Sequence, residues 1–128
     1  MVAAPGHPLA ANRTVTLADA ASCPLLLREP GSAGREIVES LFLSGGIQIT
    51  PVWESVSTLA LIRAAQNGLG IAILPELLVR DALKSGDLVS LPLSPDILTR
   101  SLYLIWHRNK YLSSSAEEFL NLCRMWKF

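Results

Sequence analysis

Short apolar runs and helix-period segments alternate along this chain, with turn residues at the junctions. Leu25-Leu26-Leu27 predicts a strand running straight into the loop Arg28-Glu29-Pro30-Gly31-Ser32-Ala33-Gly34. From Arg35 to Leu43 the apolar residues Ile37, Val38, Leu41 and Phe42 recur at helical spacing, and Gly45-Gly46 ends them. Ile47–Trp53 reads as a second strand, irregular or at an edge because Pro51 cannot donate to a ladder. Ser55-Val56-Ser57-Thr58 supplies capping hydroxyls for a helix through about Asn67, closed by Gly68. Ile71–Leu74 is a third strand, unbroken and β-branched, as expected where both sheet faces are covered. Glu76–Ser85 follows as a helix behind Pro75 and stops at Gly86. Leu88–Leu91 and Leu102–Trp106 are two further strands, separated by a loop holding Pro92 and Pro95. A last helix starts near Ser113–Ser115 and aligns Ala116, Phe119, Leu120, Cys123 and Trp126 on one face.

Such alternation predicts an α/β fold with a mostly parallel sheet flanked by helices. Right-handed crossovers then bring the helix N-termini to the carboxyl edge of the sheet, where ligands of such folds bind. Two helix starts have suitable chemistry. One is the Gly31–Gly34 loop with Arg28 and Arg35 at its ends; the other is the hydroxyl cluster Ser55, Ser57 and Thr58. Amides and the helix dipole at these points suit a carboxylate, sulfate or phosphate. Ordinary turn and capping duty explains either group taken singly.

Composition narrows the classes. Of 128 residues, 50% are hydrophobic and 17% charged, against a usual charged share of ~25%. That bias excludes intrinsic disorder. The densest apolar stretches, Leu69–Leu74 and Leu102–Trp106, fall far short of the roughly 18 residues a membrane helix needs. Eleven basic residues balance eleven acidic ones, so no global field attracts nucleic acid or anionic lipid. The end of the chain is mildly basic, with Arg100, Arg108, Lys110, Arg124 and Lys127 against Glu117 and Glu118, which a solvated helix face explains. Cys23 and Cys123 lack any metal or redox spacing and read as buried thiols. The opening residues have neither a basic region nor an apolar one, so the expected location is the cytoplasm.

Catalytic signals are missing. There is no G-x-S-x-G, H-E-x-x-H, Walker loop or C-x-x-C, and Gly68-Leu69-Gly70 precedes a strand instead of following one. His107 has no acid partner at useful spacing, and His7 sits in a Pro/Gly-rich turn. Trp53, Trp106 and Trp126 read as packing residues. The expectation is a non-enzyme with no catalytic residue, no metal and no cofactor.

Taken in order, the segments resemble the effector-binding (substrate-binding) domain of LysR-type transcriptional regulators. Val2–Ala10 resembles the family's strand end followed by P-x-H-P-L-A, and Thr16–Ala20 its L-x-D-L turn of helix. Arg28–Glu36 is similar to R-x-x-G-S-G-T-R, and Glu54–Thr58 to a hydroxyl-rich helix start. Gly68–Pro75 matches G-x-G-I-A-x-L-P closely, and Tyr103–Arg108 followed by Leu112-Ser113 resembles the closing strand and L-S-x-A helix start. The set spans nearly the whole chain.

The resemblance implies a lobe of the type 2 periplasmic-binding-protein-like fold, with an effector in the cleft between two lobes. It assigns residues 1–12 to a crossover-strand remnant and loop, and 13–98 to the second lobe. Residues 99–128 become a returning strand and helix that would join the first lobe. The chain then reads as an effector-sensing fragment without the winged helix-turn-helix, making no direct contact with nucleic acid or membrane. Its small, anionic effector is expected at Arg28, Gly31, Ser32, Ser55, Val56, Ser57 and Thr58. Ala33-Gly34 replaces the family's G-T, which removes one hydroxyl and favours the second helix start. Glu54 is expected to be structural, since a bare carboxylate repels an anion. Self-association as a homodimer or larger is expected through the last helix, the open sheet edge, or the Ile37–Leu41 face, which resembles a family dimer surface. The alternatives are a solute-binding module on the same fold and an enzyme lobe of the same architecture.

Overall fold

The computed structural model describes residues 1–94, 98 and 101–126. Five short strands, β1 (Val2–Ala3), β2 (Leu25–Arg28), β3 (Trp53–Ser55), β4 (Ile71–Ala72) and β5 (Val89–Ser90), form one sheet in the order β3-β2-β4-β1-β5. β2 runs parallel to β3 and β4, while β1 is antiparallel to both β4 and β5. The sheet is therefore mixed: four strands share a direction and β1 is inserted against them.

Helices α1 (Leu17–Ala21), α2 (Ala33–Ser44), α3 (Thr58–Gln66), α4 (Glu76–Ser85) and α5 (Ser114–Met125) complete the chain, with a 3₁₀ turn at Pro8–Ala11. The strands alternate cleanly between two cores. Leu25, Leu27 and Ile71 pack with Val38 and Phe42 on the side of α1 and α2. Leu26 and Ala72 pack with Leu61, Ala65 and Val79 on the side of α3 and α4. An unbroken apolar β2 is what a strand buried on both faces requires.

Local chemistry fixes the helix ends. Thr16 and Asp19 form a reciprocal capping box for α1, and Ser32, Ser57 and Ser113 cap α2, α3 and α5. Helix α3 closes in a Schellman motif, with Leu69 N–H donating to Ala64 at 3.1 Å and Gly68 N–H to Ala65 at 3.0 Å. That motif needs a left-handed residue, and Gly68 has φ 74°. Gly70 answers a different need. Ile71 N–H donates to the Pro24 carbonyl at 2.8 Å, and a β-carbon on Gly70 would land on that same carbonyl. The G-x-G of this segment is thus a helix stop followed by a close strand approach.

Several expected elements are shorter or missing. Of the expected strand Ile47–Trp53 only Trp53 lies in β3, which runs on to Ser55, while Val52 adds one hydrogen bond to the Leu25 carbonyl; β4 and β5 keep two residues each. Leu102–Trp106 forms no strand: no ladder partner lies beside it among the described residues, and Ile105 is 93% exposed. The face of α5 is also unfilled, with Phe119 57% and Trp126 68% exposed. Cys23 and Cys123 are half-buried instead of fully buried, and both are free thiols. Pro95, Arg100 and Lys127 lie outside the described residues.

Replacing Gly70 by Ala should cost about 2–3 kcal/mol, because backbone must move to admit the methyl. Gly6→Ala, with open space around its β-carbon, should stay within about 0.5 kcal/mol of the parent. Urea denaturation of the two variants checks this; equal stabilities would contradict the close approach.

Candidate functional site

β2 and β3 end side by side at the carboxyl edge, with Arg28 in register opposite Ser55. The chain leaves β2 through Glu29-Pro30-Gly31 into α2, and leaves β3 through Val56 into α3. Arg28 spans the two exits: its Nη1 donates to Thr58 Oγ1 at 3.3 Å. Its Nε and Nη2 donate to the two Glu29 carboxylate oxygens at 2.7 and 2.9 Å. This pairing raises the Arg28 pKa and holds the Glu29 carboxyl below its ordinary value, in both cases chiefly through the side-chain hydrogen bonds.

The hydroxyls have a common arrangement. Ser55 Oγ accepts from Ser57 N–H at 3.0 Å, Ser57 Oγ from Ala60 N–H at 3.3 Å, and Ser32 Oγ from Arg35 N–H at 3.2 Å. Each of these oxygens, like that of Thr58, accepts from the protein, and among the described residues none of the four hydroxyls donates to it. Four O–H donors are therefore available at the same edge, together with the first amides of α2 and α3, which no helix satisfies internally. Gly31 takes the turn with φ 82°, and Val56 is exposed between β3 and α3.

Of the sequence-predicted residues, Arg28, Ser55, Ser57 and Thr58 come together directly. Gly31 and Ser32 join them through Glu29, whose carbonyl accepts from Ser32 N–H at 3.3 Å. Arg35 does not serve the anion loop. Its guanidinium is buried and faces inward, donating to Glu39 at 2.7 Å, Glu54 at 2.8 Å and the Arg28 carbonyl at 2.9 Å. Burial alone would lower its pKa, but the bonds to Glu39 and Glu54 outweigh that and raise it. The Arg35–Glu39 pair was visible as an i,i+4 spacing; the Glu54 contact needed the fold. Glu29 was also missed as a partner of Arg28, because adjacency in sequence says nothing about which way two side chains turn.

Two surface grooves are lined by other residues, one by Glu36, Ile37, Ser40, Leu41 and Leu98, the other where Ala4–Pro8 meets Gln66–Gly68. No group of three His, Cys, Asp or Glu among the described residues is placed to hold a metal ion.

Comparison with known proteins shows the family and the fold. Residues 1–127 match the family described as the LysR substrate binding domain. The chain belongs to that family. Its relatives include an uncharacterised HTH-type transcriptional regulator of Escherichia coli (strain K12), YeiE, 39% identical over 94% of this chain and 41% of its own length. The RuBisCO operon transcriptional regulator of Allochromatium vinosum is 31% identical over 93% of this chain and 39% of its own length. The chain thus spans about two fifths of these relatives. Among solved structures, the effector-binding domain of QuiR in complex with shikimate superposes with TM-score 0.79 at 25% identity, over 94% of this chain and 56% of that one. The regulatory domain of Synechocystis PCC6803 CcmR in complex with 2-PG gives TM-score 0.80 at 24% identity, over 94% and 58%, and speaks to the fold. The mixed five-stranded sheet flanked by helices is accordingly a type 2 periplasmic-binding-protein-like lobe.

In this LysR domain the Glu29 carboxyl titrates below its ordinary value of 4.5. Its contribution to stability is complete above that value and is lost as pH falls through the lowered, folded-state pKa. Arg28→Gln should therefore flatten the dependence of the urea midpoint on pH below 4.5; an unchanged slope would show that the pair does not persist in solution. At neutral pH, Arg35→Met should cost about 1.5–3 kcal/mol, because it removes three charge-assisted bonds. A loss under 0.5 kcal/mol in the same titration would contradict the bracing role.

Proposed function

We propose that this domain senses a small anionic effector for a transcription regulator, and that the effector binds at the carboxyl edge of β2 and β3. Arg28, Gly31, Ser32, Ser55, Val56, Ser57 and Thr58 make the contacts. The observation that carries this reading is the set of four unused hydroxyl donors gathered with the Arg28 guanidinium at two helix starts. Donors without acceptors, at positive helix ends, suit an oxyanion. Shikimate, the ligand in the QuiR complex, is a hydroxylated carboxylate and fits the same chemistry.

The role proposed is binding, in keeping with the names of YeiE and the RuBisCO operon regulator as transcriptional regulators. No helix among the described residues is long and apolar enough to cross a membrane, and the proposed location is the cytoplasm. Residues 13–98 act as the sensing lobe. Residues 99–128, with their exposed Tyr103, Ile105 and Trp126, pack against a further lobe or copy.

Calorimetry with small hydroxylated carboxylates should show binding near 1 mM, about −4 kcal/mol, for one lobe acting alone. Replacing Ser55 and Ser57 together by Ala should weaken it at least five-fold; unaltered binding would move the site elsewhere. Exposed apolar surface of this extent also predicts association. Light scattering at micromolar concentration should give a mass above 13.9 kDa, and a clean monomer would contradict that.

A further inference from the structure

We infer that Glu29 is an internal competitor for Arg28, so that an effector's anionic group enters this site by exchange with the protein's own carboxylate. The inference rests on the site proposed above. Glu29 grips the guanidinium fork-on-fork, Oε2 on Nε at 2.7 Å and Oε1 on Nη2 at 2.9 Å. That is the geometry an incoming carboxylate or sulfate adopts on an arginine. The remaining nitrogen, Nη1, faces Thr58. All three guanidinium nitrogens thus have partners before any ligand arrives.

The pair is accessible, unlike the inner arginine. The Arg28 and Glu29 side chains are 30% and 31% exposed, whereas that of Arg35 is 6% exposed. Among the described residues Arg28 is the one side chain that the Glu29 carboxylate bonds, and its other partner is its own backbone amide, so no other side-chain contact depends on it. It can swing into water and leave the fork to a ligand.

Two consequences follow for selectivity. The free site carries little net positive charge, since the arginine is neutralised in place. A ligand with one oxyanion and nothing else merely replaces Glu29 and gains little. A ligand that also offers acceptors to Ser55, Ser57 and the first amides of α3 gains bonds that Glu29 cannot make. The class selected is therefore an anion bearing additional hydrogen-bonding groups.

The test titrates sulfate at constant ionic strength into the parent chain, Glu29→Gln, Arg28→Gln and the double variant, following backbone amide shifts of Gly31–Arg35 and Ser55–Leu59. Glu29→Gln should tighten sulfate about five-fold or more, the factor set by one guanidinium–carboxylate attraction at about 4 Å in water that the anion no longer has to break. Its melting temperature should stay within about 3 °C of the parent. In the Arg28→Gln background the same change should gain less than two-fold, because the competition runs through Arg28. Site binding that Glu29→Gln leaves unaltered overturns the inference and leaves the site standing. An equal gain in both backgrounds also overturns it, since Glu29 would then act only as a distant charge. If no amide of the two helix starts shifts in any variant, the site itself is refuted and the inference falls with it.

Discussion

The guanidinium of Arg35 holds the carboxyl edge of the sheet together. From the first turn of α2 it reaches the Arg28 carbonyl at the end of β2 and the Glu54 carboxylate within β3, while Glu39 steadies it from one turn further along its own helix. A buried cation costs free energy unless its donors are satisfied. Here one group satisfies itself by joining two strand ends and a helix start, so the cost of burial becomes positional order at the edge where a ligand binds. Glu54 is drawn into this brace and its charge is compensated, which removes an obstacle to anion binding close to Ser55.

That order gives the two arginines different roles. Arg35 is internal and closed, and its hydrogen bonds set backbone geometry. Arg28 is outward and half-exposed, and its bonds are exchangeable. The hydroxyls beside it accept hydrogen bonds that fix helix starts and retain donors that face solvent or a ligand. Structural capping and ligand recognition are therefore not competing explanations for Ser32, Ser55 and Ser57. A serine oxygen has enough valence to cap a helix and still donate.

Much of the lobe was legible because its signals are local. Gly45-Gly46 and Gly68 stop helices, serines start them, and the Leu25–Leu27 run marks a strand covered on both faces. Strand order was less accessible. The antiparallel insertion of β1 between β4 and β5 joins residues far apart in sequence, and two apolar residues carry no directional signal. Leu102–Trp106 has the composition of a strand, but a strand exists only through a ladder partner, and none stands beside it among the described residues. At the site, spacing identified the hydroxyl cluster and Arg28. The inward turn of Arg35 and the grip of Glu29 on Arg28 depend on side-chain direction, which spacing cannot carry.

The central claim is that the effector site lies at the joined ends of β2 and β3. Mapping a bound hydroxylated carboxylate such as shikimate by ¹H–¹⁵N chemical-shift perturbation tests it most directly. The largest shifts should fall on Gly31–Arg35 and Ser55–Leu59, at the two helix starts. Shifts concentrated on Gly6, His7 and Gln66–Gly68, at the groove on the opposite edge, would contradict it.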